Sequence, residues 1–116
     1  MPWLFSKFYK EQHPEKVKEI KARFTKNYLS RNSKAFERQM VANTSHDMRG
    51  LLHGINMPTL IMVGKDDELT PPRVGEELKS EIPGARLLIF EKGGHGLYWE
   101  IPWHFNEAVL DFLGRV

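Results

Sequence analysis

Two acidic residues and a histidine follow the two most apolar segments of this 116-residue sequence. Asp66 and Asp67 come shortly after the apolar run at residues 59–63, and His95 follows the run at residues 86–90, flanked by glycines that let the backbone turn sharply. A carboxylate that accepts an imidazole N–H fixes the tautomer of the ring and leaves the other nitrogen free as a general base. These residue types therefore predict an acid–histidine pair suited to hydrolytic chemistry.

The two apolar runs must be the elements that position this pair. Each run is too short for a helix and apolar on both faces, which is typical of parallel strands. A helical stretch containing Val74 and Leu78 separates them, and a final helix opens at Pro102. Parallel strands joined by a crossover helix end at the same edge of a sheet, so the loops that follow them can touch.

The first half of the chain is helical in pattern. A helix is predicted to start at Pro14, with an apolar stripe of Val17, Ile20, Phe24 and Tyr28. Asn32 or Ser33 is predicted to cap a second helix, whose stripe is Phe36, Met40 and Val41. Asp47 is predicted to cap a short third helix that ends at Gly54.

The chain is thus predicted to divide near residue 55. Residues 1–54 form a helical segment, and residues 55–116 form a β-α-β-α unit with two parallel strands, so the fold class is α/β.

The chain resembles the carboxyl-terminal third of the α/β-hydrolase family. The resemblance rests on residues 58–71 (PTLIMVGKDDELTP), on Gly93-Gly94-His95-Gly96 and on the EIPWHFN segment that begins at Glu100. It implies that Asp67 is the acid and His95 the base of a catalytic triad, in the family's order along the chain. Asp66 is then better interpreted as a turn former that hydrogen-bonds its own loop. Residues 1–46 are more weakly similar to the helical cap of lactonase- and esterase-like members.

The family's nucleophile motif, Gly-x-Ser-x-Gly, is absent from this sequence. The five serines are Ser6, Ser30, Ser33, Ser45 and Ser80, and none lies between paired glycines after a strand. The resemblance therefore implies a partial α/β-hydrolase fold that contains the Asp67 and His95 of a triad but lacks its nucleophile. The chain alone is expected to form no acyl-enzyme. Whether that nucleophile is a serine or an aspartate is open, as is the substrate, for which a carboxylic ester or lactone is expected.

Tyr98 and Trp99 follow the histidine closely enough to flank a substrate. Two roles are open for the other aromatic residues: core packing, which we favour, or the lining of an acyl-binding pocket between cap and core. These residues are Trp3, Phe5, Phe8, Tyr9 and Trp103. His46 and His53 lie two helical turns apart, but no third ligand accompanies them, so no metal site is expected. No cofactor is implied, because proton transfer and covalent catalysis suffice. His13 and His104 are expected at the surface.

Charge, hydropathy and cysteine content limit the kinds of partner and compartment expected for this chain. Residues 1–55 carry eleven Lys and Arg against five Asp and Glu, whereas residues 56–116 carry six against ten. The basic residues are scattered at helical spacing, which argues against nucleic-acid binding. No apolar run is long enough for a membrane helix, and the start does not have the pattern of a signal peptide. The absence of cysteine is consistent with a cytoplasmic protein.

Two strands of this apolar character cannot cover one another completely. Their uncovered surface predicts a homo-oligomer, or association with an amino-terminal hydrolase fragment. Two functions follow as candidates: part of an ester- or lactone-hydrolysing enzyme, or a non-catalytic, self-associating remnant of one.

Overall fold

A computed structural model describes residues 3–29 and 33–116, without the side chains of residues 27–29. The described elements, in chain order, are α1 (Lys7–Gln12), α2 (Pro14–Leu29), α3 (Ser33–Ser45), a 3-10 turn (Leu52–Gly54), β1 (Leu60–Gly64), α4 (Pro72–Glu81), β2 (Arg86–Phe90), α5 (Leu97–Glu100) and α6 (Pro102–Leu113). This order confirms the predicted α/β class and the β-α-β-α arrangement of the second half.

The two strands form a parallel sheet. Leu60 lies opposite Arg86, and Gly64 lies opposite Phe90. The strand prediction is confirmed within one residue for β1 and at both ends for β2. Because the register aligns the ends of the strands, the loops after Gly64 and Phe90 leave the sheet side by side.

Helices α4 and α6 lie on opposite faces of this sheet. Gly75 of α4 sits so close to β1 and β2 that a Cβ there would lie 2.9 Å from the Val63 side chain and 3.0 Å from that of Leu87. On the other face, Arg86 contacts α6 through an ion pair with Asp111 at 3.7 Å and through the ring of Phe112. Glycine in α4 therefore allows that helix to pack closely, whereas α6 contacts Arg86 through the end of its long side chain.

The helical half is organised around a small apolar core. The Ser6 side chain accepts the N–H of Tyr9 and caps α1, and α2 begins at Pro14 as predicted. Val17 and Ile20 of α2 are buried together with Leu4 and Phe5, and Phe24 packs against them; Tyr9, Trp3 and Trp99 complete this cluster. The predicted stripe of α2 is therefore its packing face, although the side chain of Tyr28 lies outside the described residues.

Two predictions in the helical half differ from the structure. The short third helix is present only as the 3-10 turn at Leu52–Gly54, which ends at Gly54 as predicted but is not capped by Asp47. Asp47 instead accepts the backbone N–H of Arg49 and pairs with its guanidinium, so the residues before Leu52 are not helical. The stripe of α3 is largely exposed at Met40 and Val41. Helix α3 begins at Ser33, while Asn32 lies outside the described residues.

Phe8 and Trp103 are also exceptions to the predicted aromatic core. Phe8 is 53% exposed and Trp103 is 84% exposed. Trp103 precedes the half-buried Phe105 by two residues in α6, which turns it about 200° away from that packing side.

Much apolar surface remains uncovered, as expected for a sheet with so few elements around it. Among the residues that the structure describes, no large side chain is fully buried. Leu88 in β2 is 37% exposed, and Leu110 and Leu113 in α6 are more than half exposed. No helix within residues 3–29 and 33–116 is both long enough and apolar enough to cross a membrane.

Candidate functional site

The loops after β1 and β2 bring Asp67 and His95 together. The Nδ1 atom of His95 lies 3.0 Å from Oδ2 of Asp67, across 28 residues of sequence. The Asp67 side chain is only 7% exposed, whereas that of His95 is 34% exposed. A buried carboxylate thus faces one nitrogen of a ring that remains accessible to solvent, which is the arrangement that the loop positions predicted.

The Asp67 carboxylate is held by its own loop as well. Its Oδ1 accepts the backbone N–H groups of Leu69 and Thr70, both at 2.9 Å, and its Oδ2 accepts the Thr70 hydroxyl at 2.8 Å. Burial is the largest single influence and raises the pKa of Asp67, but the hydrogen bonds from Thr70, His95 and Leu69 together outweigh it. The pKa of Asp67 therefore lies below its ordinary value of 3.8, and the carboxylate is ionised at neutral pH.

Asp66 does not have the role predicted for it. Its side chain is exposed, and its backbone N–H donates to the Gly93 carbonyl oxygen at 3.1 Å. The turn predicted for Asp66 is formed by Asp67 instead. The free backbone N–H groups of this turn belong to Leu69 and Thr70, which lie two and three residues after Asp67, within reach of its side chain.

The glycines around His95 serve two different physical needs. Gly93 has a φ of 122°, a conformation that side chains disfavour. Gly94 and Gly96 lack positive φ values and are needed for space instead: a Cβ on Gly94 would lie 2.6 Å from the Ser6 nitrogen, and one on Gly96 would lie 2.9 Å from the Leu4 oxygen. The histidine loop, residues 93–96, is therefore pressed against residues 4–6.

Residues 3–6 reach the site from the far end of the chain. The Gly96 N–H donates to the Leu4 carbonyl at 2.5 Å. The Trp3 ring packs edge-on against the His95 ring, with centroids 5.5 Å apart. The carboxylate of Glu100 accepts hydrogen bonds from both Ser6 and Gly94.

Tyr98 and Trp99 lie on α5, directly after the histidine loop. Trp99 packs against Phe5 and Phe24 with ring centroids 6.0 Å away, and it lines a cavity of about 190 Å³ with Ile20, Arg23 and Phe24. Tyr98 is 48% exposed and touches Trp99 at a centroid distance of 4.6 Å. Trp99 thus belongs to the aromatic cluster between the two halves, and Tyr98 stands at its surface.

Three residues at the site were missed by sequence reasoning. Thr70 binds Asp67 and lies 3.3 Å from Nδ1 of His95, and an Asp followed by Thr three residues later is a local turn signal that could have found it. The contact of Trp3 with His95 and that of Glu100 with Ser6 join residues more than ninety positions apart, for which a single sequence carries no local signal. Glu100 also accepts the N–H of Gly94, six residues before it.

No nucleophile or metal group completes the site within the described residues. The hydrogen-bonding partners of His95 there are Asp67 and Thr70, and no serine is among them. Ser6 is buried and donates to Glu100. No group of three or more His, Asp or Glu capable of holding a metal occurs in the described part of the chain, and His46 and His53 are both exposed.

Comparison with known proteins places this geometry in a family. A sequence model described as the alpha/beta hydrolase fold matches residues 4–102. A 2-hydroxy-6-oxononadienedioate/2-hydroxy-6-oxononatrienedioate hydrolase of Cupriavidus pinatubonensis is 39% identical over 82 residues, covering 69% of this chain and 28% of the relative. A pimeloyl-[acyl-carrier protein] methyl ester esterase of Neisseria meningitidis is 34% identical over 82 residues, covering 71% of this chain and 32% of the relative.

Solved structures agree. MGS-M2, an alpha/beta hydrolase enzyme from a Medee basin deep-sea metagenome library, superposes with a TM-score of 0.83 at 27% identity, covering 99% of this chain and 42% of that one. The esterase EaEST from Exiguobacterium antarcticum gives 0.78 at 29% identity, covering 96% and 39%. The chain spans less than a third of the length of the two curated relatives described above. Its fold, its sequence and the match over residues 4–102 establish that the chain belongs to the α/β-hydrolase family.

Proposed function

We propose that this chain is the acid- and histidine-bearing part of an α/β-hydrolase that cleaves a carboxylic ester or lactone through a Ser-His-Asp triad. Asp67 holds the imidazole of His95 in one tautomer, and His95 acts as general base toward a nucleophile that this sequence does not contain. On proton release by that nucleophile, the imidazolium is stabilised by the buried carboxylate, and the proton later passes to the leaving group.

The observation that carries this proposal is the contact between His95 and a carboxylate that is buried, ionised and hydrogen-bonded on both oxygens. A purely structural pairing of Asp67 with His95 would not require the His95 ring to stay partly exposed at the ends of two parallel strands. Those strand ends are where open α/β sheets place ligand sites.

Residues 1–54 are proposed to be part of the cap and residues 55–116 part of the catalytic core. Tyr98 and Trp99 lie where these parts meet and are proposed to flank the substrate, with Trp99 at the wall of the 190 Å³ cavity. The names of the two curated relatives mention different substrates, an oxo-dicarboxylate and a methyl ester. The proposal of an ester or lactone rests on the chemistry of a Ser-His-Asp triad and is supported by the two esterases among the matches. The chemistry requires no cofactor.

The test replaces the matching 39% of the Exiguobacterium esterase with this chain and measures hydrolysis of p-nitrophenyl butyrate. The chimera is expected to be active, and His95→Ala is expected to lower kcat by on the order of 10³-fold or more, because triad members act as a unit. The isolated 116-residue chain is expected to show background turnover with or without His95.

His104→Ala is the matched control, since His104 is an exposed histidine on α6. Equal activity of the His95→Ala and His104→Ala chimeras would overturn the catalytic role of His95. Turnover by the isolated chain that disappears in His95→Ala would show instead that the chain supplies its own nucleophile.

A non-catalytic, self-associating remnant is the second candidate, and the exposed apolar surface of the sheet and α6 favours it. Either function leaves that surface to be covered, by a second copy in the remnant and by the amino-terminal part in the enzyme. An inactive, correctly folded chimera together with a stable homo-oligomer of the isolated chain would favour the remnant.

A further inference from the structure

Glu100 joins the histidine loop, six residues before it, to a segment that lies 94 residues before it in sequence. Its Oε1 accepts the backbone N–H of Ser6 at 2.7 Å and that of Gly94 at 3.1 Å, while its Oε2 accepts the Ser6 hydroxyl at 2.6 Å. All three contacts are partly buried, and Ser6 itself is only 4% exposed. Hydrogen bonds to a carboxylate are stronger than those between neutral groups, so this bridge is a strong link between its two segments.

The bridge acts on a closely packed junction. Gly94 approaches Ser6 so closely that a Cβ there would lie 2.6 Å from the Ser6 nitrogen, and the Gly96 N–H donates to the Leu4 carbonyl. Without the carboxylate, the N–H groups of Ser6 and Gly94 would lose their acceptor in a partly buried place, which is costly. The Glu100 carboxylate is therefore one of the contacts that hold the histidine loop against residues 4–6, together with the bond from Gly96 to Leu4.

The position of that loop determines the position of His95. His95 stands between Gly94 and Gly96, and the preceding Gly93 accepts the N–H of Asp66, next to Asp67. Trp3, just before residues 4–6, packs edge-on against the His95 ring. A shift of the loop away from residues 4–6 would therefore move the imidazole relative to Asp67.

We propose that Glu100 is a positioning residue, whose carboxylate fastens Ser6 to Gly94 and thereby holds His95 in hydrogen-bonding register with Asp67. Its significance for catalysis rests on the proposed function, because only then is His95 the general base. Its effect on the geometry of His95 can be measured without any substrate.

The test uses the ¹⁵N-labelled 116-residue chain and two readouts that do not involve a direct bond to Glu100. These are the exchange rates of the Asp66 and Gly96 amides and the ring ¹⁵N shifts of His95, which report its tautomer. In Glu100→Ala, both amides are expected to exchange about tenfold faster or more, and the His95 tautomer is expected to become mixed. Glu100→Gln retains one acceptor oxygen, so intermediate values are expected.

Glu107→Ala is the matched control, because Glu107 is an exposed glutamate on the neighbouring helix. The Lys65 amide, which donates to Phe90 within the sheet, reports global stability. Unchanged Asp66 and Gly96 exchange with an unchanged His95 ring in Glu100→Ala would overturn the proposal. An equal acceleration at Lys65 without a change of tautomer would overturn it too, since that outcome indicates only lost stability.

Two milder variants keep the test decisive if Glu100→Ala does not fold. Ser6→Ala removes the hydroxyl bond to Oε2, and Glu100→Gln removes the charge; a native His95 ring and native loop amides in both would overturn the proposal.

Asp67→Asn distinguishes the Glu100 proposal from the triad proposal. If that variant leaves the His95 ring shifts unchanged, the triad assignment fails, whatever Glu100 does to the loop amides.

Discussion

At the scale of the residue, the Asp67 carboxylate is notable for how completely its own loop satisfies it. The loop donates two backbone N–H groups and one hydroxyl, and His95 supplies the fourth contact from another strand end. Four hydrogen bonds offset the burial of a charge, which would otherwise be strongly unfavourable. The same bonds fix the direction in which the carboxylate faces the imidazole.

The lowered pKa of Asp67 predicts an acid-sensitive contribution to stability. Because its pKa is lower in the folded than in the unfolded chain, the ionised group stabilises the fold above the ordinary value of 3.8, and this stabilisation is lost as pH falls through that value toward the lower folded pKa. Asp67→Asn is expected to lower the free energy of unfolding by about 1–3 kcal/mol at pH 7. At pH 3 the difference is expected to be clearly smaller.

Urea denaturation at both pH values measures this difference. Asp66→Asn is the control, since Asp66 is exposed and its side chain makes no hydrogen bond within the described part of the chain. A deficit in Asp67→Asn that is the same at pH 3 as at pH 7 would contradict the prediction.

The Thr70 hydroxyl is expected to contribute to the stability of the fold. Thr70→Val keeps the shape and the backbone N–H but removes the hydroxyl that donates to Oδ2 of Asp67. The free energy of unfolding is expected to fall by about 1 kcal/mol, and Thr70→Ser is expected to restore most of it. Thermal or urea denaturation of both variants provides the check, and a serine variant as unstable as the valine variant would argue against the hydroxyl.

At the scale of the element, the site depends on how closely segments approach each other. Parallel β1 and β2 end level, so their loops meet, and glycines permit contacts that a Cβ would block. Local pattern was sufficient to predict both strands, α4 and α6. It failed for residues 47–51, where the Asp47 side chain forms a turn instead of capping a helix. It also did not anticipate the one-turn helix α5, because helices that short depend on surrounding packing.

Gly94→Ala tests the importance of close approach. The new methyl group would overlap the Ser6 nitrogen and crowd Phe5, so residues 4–6 must shift; a loss of about 1–3 kcal/mol is expected. Gly54→Ala is the control, since nothing lies within 4 Å of a Cβ at that position and its φ is not positive. Denaturation measures both, and equal stability of the two variants would contradict the packing argument.

At the scale of the whole molecule, apolar surface is the dominant feature. The backbone N–H and C=O groups of Leu60 and Met62 point away from β2, because those of their neighbours bond toward it. No strand pairs with this edge in the described part of the chain, and Leu88 of β2 and apolar side chains of α6 are exposed elsewhere on the surface. An unpaired edge and exposed apolar surface both favour association.

We therefore expect the isolated chain to sediment as a species larger than its monomer mass of 13.5 kDa. Leu88→Glu, which places a charge on the exposed side of β2, is expected to weaken this association at least tenfold. Val41→Glu on α3 serves as control, because Val41 is equally apolar and 66% exposed but lies on another element. A monodisperse monomer with well-dispersed amide resonances would contradict the expectation.

The sequence by itself determined the strands, the order of elements and the presence of an acid and a histidine at two strand ends, because these follow from local periodicity and from the geometry of parallel sheets. The family resemblance implied Asp67 rather than Asp66 as the acid, but only the tertiary structure shows Asp67 in contact with His95. Only the tertiary structure joins Trp3, Ser6 and Glu100 to the histidine loop. The direction in which the side chains of Asp66 and Asp67 point depends on the exact backbone angles of the turn. Contacts between residues about ninety positions apart depend on packing. A local pattern encodes neither.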